Sequence, residues 1–211
     1  MLHWYVMIMV IMIIIVFTNW SDYALKCKPF YPLYRSILEK RSLKLYDQFQ
    51  YICDKENIKY NSVLDFGCGF GGLSEMLRRN DKNIVSVDRS NHYIYNDKKN
   101  LVILKNTKNL PFADDQFNIA VSSYVFHHIP KGQHVTYIYE ILRVASTMIL
   151  IEEHPRRNML CRFINSEVLT HANAHMTIEQ WRSHISSMNL QISHHELNSN
   201  EFAFVIMKKD Q

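Results

Sequence analysis

Glycine is scarce in this chain, which has five glycines in 211 residues. Four of the five fall within residues 67–72, inside the stretch VLDFGCGFGG that spans Val63–Gly72. A glycine lets the backbone turn tightly and lets another group approach the peptide plane, because it has no Cβ. The clustering therefore indicates one local turn that admits a ligand, and not a chain that is flexible throughout.

Cysteine is also sparse, and no Cys-x-x-Cys pair occurs. The four cysteines are scattered at Cys27, Cys53, Cys68 and Cys161. This spacing argues against a structural zinc site or a disulfide framework, and it predicts reduced thiols in a cytosolic compartment. The net charge of +4 is mild. A nucleic-acid partner is not expected, because proteins that follow phosphates carry a denser basic face.

Charged residues are missing from Leu2–Phe17, and residues 6–17 are all aliphatic, methionine or phenylalanine. Trp4, Tyr5 and Trp20 flank this run like an aromatic belt at a membrane interface. We therefore predict an N-terminal apolar helix that anchors the chain in a membrane through residues 2–20, with a buried core helix as the alternative. The basic residues that follow predict a catalytic domain facing the cytosol.

The rest of the chain divides into a linker with a helical region and an alternation of strands and helices. The predicted regions are a membrane anchor over 1–20, a linker and helical region over 21–58, and the main domain over 59–211. Helical periodicity extends over Leu33–Glu56, with a possible break near Ser42. The predicted strands are Ser62–Phe66, Asn83–Val87, Leu101–Lys105, Asn118–Ser123, Met148–Glu152, Leu190–Glu196 and Glu201–Met207. The predicted helices are Gly71–Arg79, Gln133–Val144 and Thr177–Met188, the last capped by Thr177.

The glycine cluster stands between the first predicted strand and the helix after it, and it satisfies the pattern G-x-G-x-x-G. Asp88 ends the next strand, where a carboxylate can accept hydrogen bonds from a vicinal diol. This arrangement predicts an α/β fold that is Rossmann-like and doubly wound. Its sheet is mostly parallel and seven-stranded, with a C-terminal antiparallel hairpin. The ligand is a nicotinamide dinucleotide or S-adenosylmethionine. Asp65 favours the latter, because its charge suits a cationic ligand and repels a pyrophosphate.

Several stretches resemble the class I S-adenosylmethionine-dependent methyltransferases. The stretch from Asp65 to Gly71 is similar to their first motif, Asp-x-Gly-x-Gly-x-Gly. NLPFADDQFN at 109–118 and SSYVFHHIP at 122–130 resemble stretches around the fourth strand of the small-molecule group called type 11. TIEQW at 177–181 resembles a late helix of that group. The main similarity runs from about residue 60 to 150.

The resemblance implies a set of cofactor contacts. Asp65 lies near the methionine amino group, and Gly67, Gly69 and Gly71 form the turn under the methionine and ribose. Asp88 holds the ribose diol.

It also implies contacts to the adenine and to the methyl-donor side. Asn106 and Thr107 contact the adenine, with Asn106 where the family usually has aspartate; an amide oxygen can still accept that bond. Ser123 and Tyr124 line the methyl-donor side. At Asn118 the family again usually has aspartate.

Methyl transfer requires a base only when the acceptor arrives protonated. The sequence offers five candidates near the ends of the fourth and fifth strands: His127, His128, Glu152, Glu153 and His154. We predict His128 and Glu152 as catalytic, because they follow or end strands whose carboxyl edge binds ligands in such sheets. Packing or capping of the next helix is the alternative for the histidines, and a solvated strand end for Glu152.

No metal site is predicted. His171 and His175 are four residues apart and would share a helix face. No further ligand at a suitable spacing accompanies them, so a surface pair is expected.

The sequence thus predicts an enzyme that transfers a methyl group from S-adenosylmethionine, by in-line displacement, to a small-molecule or lipid-like acceptor. Its catalytic domain is tethered to a membrane and faces the cytosol. One alternative is a methyltransferase fold that has lost catalysis and serves as a binding or scaffold protein. A nicotinamide-dependent oxidoreductase is the other, although neither Tyr-x-x-x-Lys nor a separate substrate domain is evident.

Overall fold

The computed structural model describes residues 31–80, 82–91, 100–104, 108–154 and 175–209. The chain divides into two compact units, residues 1–38 with 156–173 and residues 39–155 with 174–211. The described part of the first unit is residues 31–38, the beginning of a helix. The predicted apolar helix over residues 1–20 lies outside the described residues. Within the described ranges, no helix is long and apolar enough to cross a membrane.

Helices and strands alternate along the described chain. Helix α1 spans Tyr31–Lys55 without a break at Ser42. The strands are β1 (Ser62–Phe66), β2 (Asn83–Asp88), β3 (Leu101–Ile103), β4 (Phe117–Ser123), β5 (Ala145–Glu153), β6 (Leu190–Asn198) and β7 (Glu201–Lys208). The other helices are α2 (Gly72–Arg79), α3 (His134–Val144) and α4 (Ile178–Ser186). Two short 3₁₀ turns, Phe126–His128 and Lys131–Gln133, lead from β4 to α3.

One seven-stranded sheet joins all these strands in the order β3-β2-β1-β4-β5-β7-β6. The first five strands in this order are parallel, while β7 runs antiparallel to β5 and β6. The predicted α/β fold with a C-terminal antiparallel hairpin is therefore confirmed. The strand order reverses between β1 and β4, so the carboxyl ends of these two neighbours open a crevice at one edge of the sheet.

Apolar side chains fill both faces of the sheet, as a doubly wound fold requires. Along β1, Val63 packs with residues of α1 and α2 on one face, and Leu64 packs with residues of α3 and α4 on the other. Both side chains are 0% exposed. Alternate residues of one strand thus pack against two layers of helices.

The ends of several elements differ from their prediction. Strand β5 begins at Ala145 and not at Met148, because the chain leaves α3 directly into pairing with β4, where Ala145 lies opposite Phe117. Strand β3 ends at Ile103. Helix α4 begins after Thr177, and the predicted cap is confirmed. The Thr177 hydroxyl accepts a hydrogen bond from the backbone nitrogen of Gln180. The side-chain oxygen of Gln180 accepts one from the backbone nitrogen of Thr177.

Candidate active site

The glycine turn is fastened to the end of β2 by backbone hydrogen bonds. The nitrogens of Gly67 and Cys68 both donate to the Val87 carbonyl oxygen, at 2.8 and 3.0 Å. The backbone φ angles of Gly67, Gly69 and Gly71 are 75°, 51° and 80°. Side chains strongly disfavour this left-handed region, so the three glycines are there for the backbone conformation itself.

Two of these glycines also differ in what surrounds them. A Cβ on Gly67 would lie 2.4 Å from Cγ2 of Val125, so this glycine allows the turn to pack against the residues after β4. Among the described residues, a Cβ on Gly69 would meet nothing within 4 Å. The turn is therefore open above Gly69, and this is where a ligand can approach the backbone.

Asp88 lies beside the open part of the turn. Its Oδ2 accepts a hydrogen bond from the Gly69 nitrogen at 2.8 Å, and its Oδ1 accepts from the nitrogen and hydroxyl of Ser90 at 2.9 and 3.0 Å. A carboxylate has about four acceptor positions, so one ribose hydroxyl can bind without any rearrangement. A second can bind when the Ser90 hydroxyl turns away. The predicted diol contact therefore fits the geometry.

Asp65 lies beneath the turn and is 2% exposed. Its Oδ2 accepts a hydrogen bond from the Ser74 hydroxyl at 2.6 Å, and Ser74 accepts one from Ser86 at 2.7 Å. Burial raises the pKa of Asp65 to about 6; the Ser74 bond opposes this rise, and the charge of Asp88 adds to it. The carboxylate thus joins α2 to β1, and its contact with a methionine amino group stays a prediction.

Tyr124 follows the end of β4 with a φ of 57°, which is unusual for a residue other than glycine. Its hydroxyl donates to Oε1 of Glu201 at 2.9 Å, and the Arg41 guanidinium lies 5.3 Å from its ring centre. Burial, followed by the neighbouring Glu201 charge, raises the pKa of the Tyr124 hydroxyl. Ser123 is partly buried beside it at the strand end.

Glu201 collects hydrogen bonds from three parts of the chain and is 8% exposed. Besides the Tyr124 bond, its Oε2 accepts from Lys44 at 2.6 Å, from Gln48 at 2.7 Å and from Asn198. Burial by itself raises the pKa of Glu201, but the four hydrogen bonds together lower it to about 2. No local sequence pattern indicates this residue, because its partners are up to 157 positions away.

Glu152, at the end of β5, is 2% exposed and holds the chain that leaves β4. Its Oε1 accepts bonds from the nitrogens of Val125 and Phe126, at 3.1 and 2.8 Å. Its Oε2 lies 3.0 Å from Nδ1 of His127, whose side chain is 12% exposed. One buried carboxylate therefore fixes both the 3₁₀ turn and an imidazole at the carboxyl edge of the sheet.

The structure pairs Glu152 with His127 and not with His128, the neighbour that the sequence favoured. The rings of the two histidines are 4.1 Å apart between centroids, and a catalytic role of His128 stays a prediction. His154 lies 3.2 Å from Glu196 of β6, and Glu153 is partly buried at the end of β5.

Three further positions complete the predicted set. Asn106 and Thr107 lie outside the described residues. Asn118 is at the start of β4, at the opposite end of the sheet from the glycine turn. Its side-chain oxygen accepts bonds from the nitrogens of Asn61 and Ser62 and from the Ser62 hydroxyl. It therefore ties β4 to β1.

Residues 64–149 match the family model of a methyltransferase domain. The fold resembles a S-adenosylmethionine-dependent methyltransferase from Aquifex aeolicus, at 16% identity and a TM-score of 0.61, over 82% of this chain and 97% of that chain. A second S-adenosylmethionine-dependent methyltransferase, from Clostridium acetobutylicum, shares 13% identity at a TM-score of 0.63, over 85% of this chain and 99% of that chain. The magnesium protoporphyrin IX methyltransferase of Synechocystis was solved with bound S-adenosylhomocysteine. It shares 13% identity with this chain at a TM-score of 0.57, over 81% of this chain and 83% of that chain. No curated protein matches the chain.

These comparisons confirm the resemblance that the motifs carry. The fold is that of the class I methyltransferases. The match begins in β1 and ends in β5, so it includes the glycine turn, Asp88 and the strand that leads to Tyr124. At these identities the similarity to the solved structures is one of fold.

Proposed function

We propose that this class I methyltransferase domain binds S-adenosylmethionine at the glycine turn and transfers its methyl group to a small-molecule acceptor. The observation that carries the proposal is the pairing of Gly69 with Asp88. The backbone is open above Gly69, and the same glycine nitrogen holds the Asp88 carboxylate in place at 2.8 Å. A ligand with a vicinal diol and a chain that passes over the turn fits both features.

The domain contributes to the reaction mainly by holding the methyl donor and the acceptor in position. S-adenosylmethionine, when bound, supplies a methyl group that its sulfonium has already activated. Alignment of two reactants in an enzyme supplies roughly 7–11 kcal/mol of the barrier, which is a large share for a displacement of this kind. The glycine turn and Asp88 hold the donor on β1 and β2. His127 and Glu152 stand where β4 and β5 end, on the acceptor side of Ser123 and Tyr124, which line the methyl-donor side.

The proposal extends to a membrane tether and a lipid-like acceptor. Its support is the uncharged run in residues 2–17 of the sequence. Lys40 and Arg41 are also exposed on α1, where they can contact anionic headgroups. The small-molecule acceptor is the general expectation for this type of domain, and the lipid-like acceptor follows from the tether alone.

Neither the scaffold alternative nor the oxidoreductase alternative receives support from the comparisons. The carboxylate of Asp65 beneath the turn agrees with this result, because a buried anion there disfavours the pyrophosphate of a dinucleotide.

The deciding experiment is calorimetric titration of the full-length chain with S-adenosylhomocysteine and, separately, with NAD. We expect saturable binding of S-adenosylhomocysteine and none of NAD. Asp88→Ala should weaken the binding at least about ten-fold, because a hydrogen bond to a charged group contributes about 1.5–3 kcal/mol. Asp54→Ala, which removes an exposed carboxylate from α1, is the matched control and should bind normally.

Each other result has a definite meaning. Binding of NAD would replace the proposal with the oxidoreductase. Silence with both ligands would replace it with the scaffold. Equal weakening by Asp54→Ala would show that the loss in Asp88→Ala comes from charge in general and not from a contact with the ligand.

A further inference from the structure

Three metal-ligating side chains converge at the carboxyl edge of the sheet: His127, Glu152 and His175. Each offers one ligand atom, and these atoms all lie within 4.8 Å of one another. Glu152 is buried and the two histidines are partly buried. The set draws on the residues after β4, the end of β5 and the approach to α4. For this reason the spacing of His171 and His175 in the sequence gave no indication of it.

We propose that these three residues form a binding site for a divalent transition-metal cation of the Zn²⁺ type. Two imidazoles and one carboxylate make up a common ligand set of catalytic zinc sites, which keep a fourth position open for water or substrate. Mg²⁺ and Ca²⁺ prefer sites made of oxygen atoms, so the two nitrogen ligands select against them.

One of the three ligand-to-ligand distances already matches what such an ion requires. Ligands about 2.0–2.1 Å from a tetrahedral ion lie roughly 3.3 Å from one another. The His127 Nδ1 and Glu152 Oε2 atoms are 3.0 Å apart, so they need almost no movement. The rings of His127 and His175 are stacked, with centroids 4.5 Å apart and planes at 17°. One ring must therefore turn about its side-chain torsions before both nitrogens point at one ion.

Glu152 is already oriented for this role. Its Oε1 accepts the Val125 and Phe126 backbone nitrogens, which leaves Oε2 directed at His127. Such outer bonds fix the ligands of metal sites and raise affinity. Among the ion pairs of the described chain, the partner of this buried carboxylate is a histidine and not a lysine or arginine. Burial of a carboxylate costs free energy that a nearby positive charge offsets. A bound cation would supply that charge.

The site adjoins the proposed donor site through Val125. The nitrogen of Val125 donates to Glu152, and its side chain packs where a Cβ on Gly67 would be. Provided that the proposed methyl transfer holds, the cation faces the acceptor. A bound cation lowers the pKa of a water ligand to about 7, and an acceptor hydroxyl bound in its place would lose its proton to solvent. The acceptor class is then small molecules that coordinate metals through an oxygen atom.

The test uses the untagged full-length chain, stripped of metal with a chelator and dialysed. Titration with Co²⁺ followed by visible absorption, and equilibrium dialysis with Zn²⁺, should each show one ion bound per chain. The variants His175→Ala and Glu152→Gln should weaken Zn²⁺ binding at least about ten-fold, by analogy with the loss caused by outer-shell changes. His154→Gln is the matched control, because His154 pairs with Glu196 outside the cluster, and it should bind Zn²⁺ normally.

A titration with S-adenosylhomocysteine separates this inference from the proposed function. We expect His175→Ala to bind S-adenosylhomocysteine as the natural chain does, which also shows that it is folded. Absence of saturable Co²⁺ and Zn²⁺ binding would overturn the site even if S-adenosylhomocysteine binds. Equal Zn²⁺ affinity in His175→Ala would overturn it too. Zn²⁺ binding without S-adenosylhomocysteine binding would keep the site and refute its role in methyl transfer.

Discussion

At the scale of single residues, the glycines of the turn are required for two different reasons, which the sequence motif does not distinguish. Gly67 is needed because Val125 occupies the space of its Cβ, whereas no atom of the described residues lies near a Cβ on Gly69. Both have a positive φ. Packing inside the protein explains the first glycine, and access for a ligand explains the second.

Alanine at Gly67 should therefore mainly lower the stability of the fold, and alanine at Gly69 should mainly weaken ligand binding. Gly67→Ala adds a clash to a left-handed backbone, and we expect a loss of about 2–4 kcal/mol in the free energy of unfolding. Gly69→Ala adds strain alone and should cost about 1–2 kcal/mol, while it weakens S-adenosylhomocysteine binding by blocking the open side. Urea unfolding and calorimetry of both variants provide the measurements. Equal binding by Gly69→Ala and the natural chain would contradict the assignment of the open side.

Some site residues could be predicted from the sequence and others could not. The turn and Asp88 could, because strand, glycines and helix follow one another and the carboxylate comes at a fixed spacing. Which of His127 and His128 pairs with Glu152 could not be predicted. Adjacent residues of a 3₁₀ turn point in different directions, and only the position of Glu152 decides between them. Glu201 carries no local pattern, and its partners come from distant parts of the chain.

At the scale of elements, Glu201 joins α1 to the last hairpin and to the residue after β4. Lys44 and Gln48 of α1 reach it from one side, and Tyr124 from another. Ser42 lies against Gly72 at the start of α2, since a Cβ on that glycine would be 2.0 Å from its hydroxyl oxygen. The helix is thus fixed at two points, which explains why it continues through the position where the sequence allowed a break.

Replacement of Glu201 by glutamine should loosen α1 and change the acid stability. We expect a loss of about 1–3 kcal/mol at neutral pH, because the charged acceptor of several bonds is gone. The folded pKa of about 2 lies below the ordinary 4.5, so this stabilisation is complete above pH 4.5 and disappears as the pH falls towards 2. Urea unfolding between pH 2 and 7 should show a smaller acid-induced decrease in Glu201→Gln than in the natural chain.

The matched control is Glu196→Gln on the neighbouring strand, where the side chain is 56% exposed. It should stay within about 0.5 kcal/mol of the natural chain at pH 7. A pH profile of Glu201→Gln that runs parallel to the natural one would show that the bonds around Glu201 do not act as inferred.

Element order was accessible from hydrophobic periodicity, and element ends were less so. The pattern predicted each described strand and helix in the right order, because apolar spacing reflects burial on one face or two. The start of β5 was misplaced, because Ala145 and Ser146, which separate the helix from Thr147, have little strand preference of their own. Their extended form comes from pairing with β4.

At the scale of the whole molecule, the chain combines a sheet-based domain with an uncharged N-terminal run. The topology places the carboxyl ends of β1, β2, β4 and β5 at one edge, where all the described candidate site residues except Asp65 and Asn118 lie. The sequence could predict this convergence, because parallel strands share the direction of their ends.

Removal of residues 2–20 should release the protein from membranes and leave its cofactor site intact. We expect the full-length chain to float with anionic vesicles in a density gradient, even at high salt, because the apolar run and not surface charge holds it. The shortened chain should stay in the soluble fraction and bind S-adenosylhomocysteine normally. Flotation of the shortened chain at high salt would contradict the tether. Release of the full-length chain by salt would assign the attachment to basic residues.

The reversal of strand order between β1 and β4 separates two sets of side chains at the carboxyl edge of the sheet. Under the proposed function, Gly69 and Asp88 hold the donor on the β1 and β2 side, and His127 and Glu152 stand near the acceptor on the β4 and β5 side, with Val125 in contact with both. If that proposal holds, a substitution at the ends of β4 and β5 can change the acceptor while the donor site stays intact, so acceptor choice and cofactor use can be altered separately in this fold.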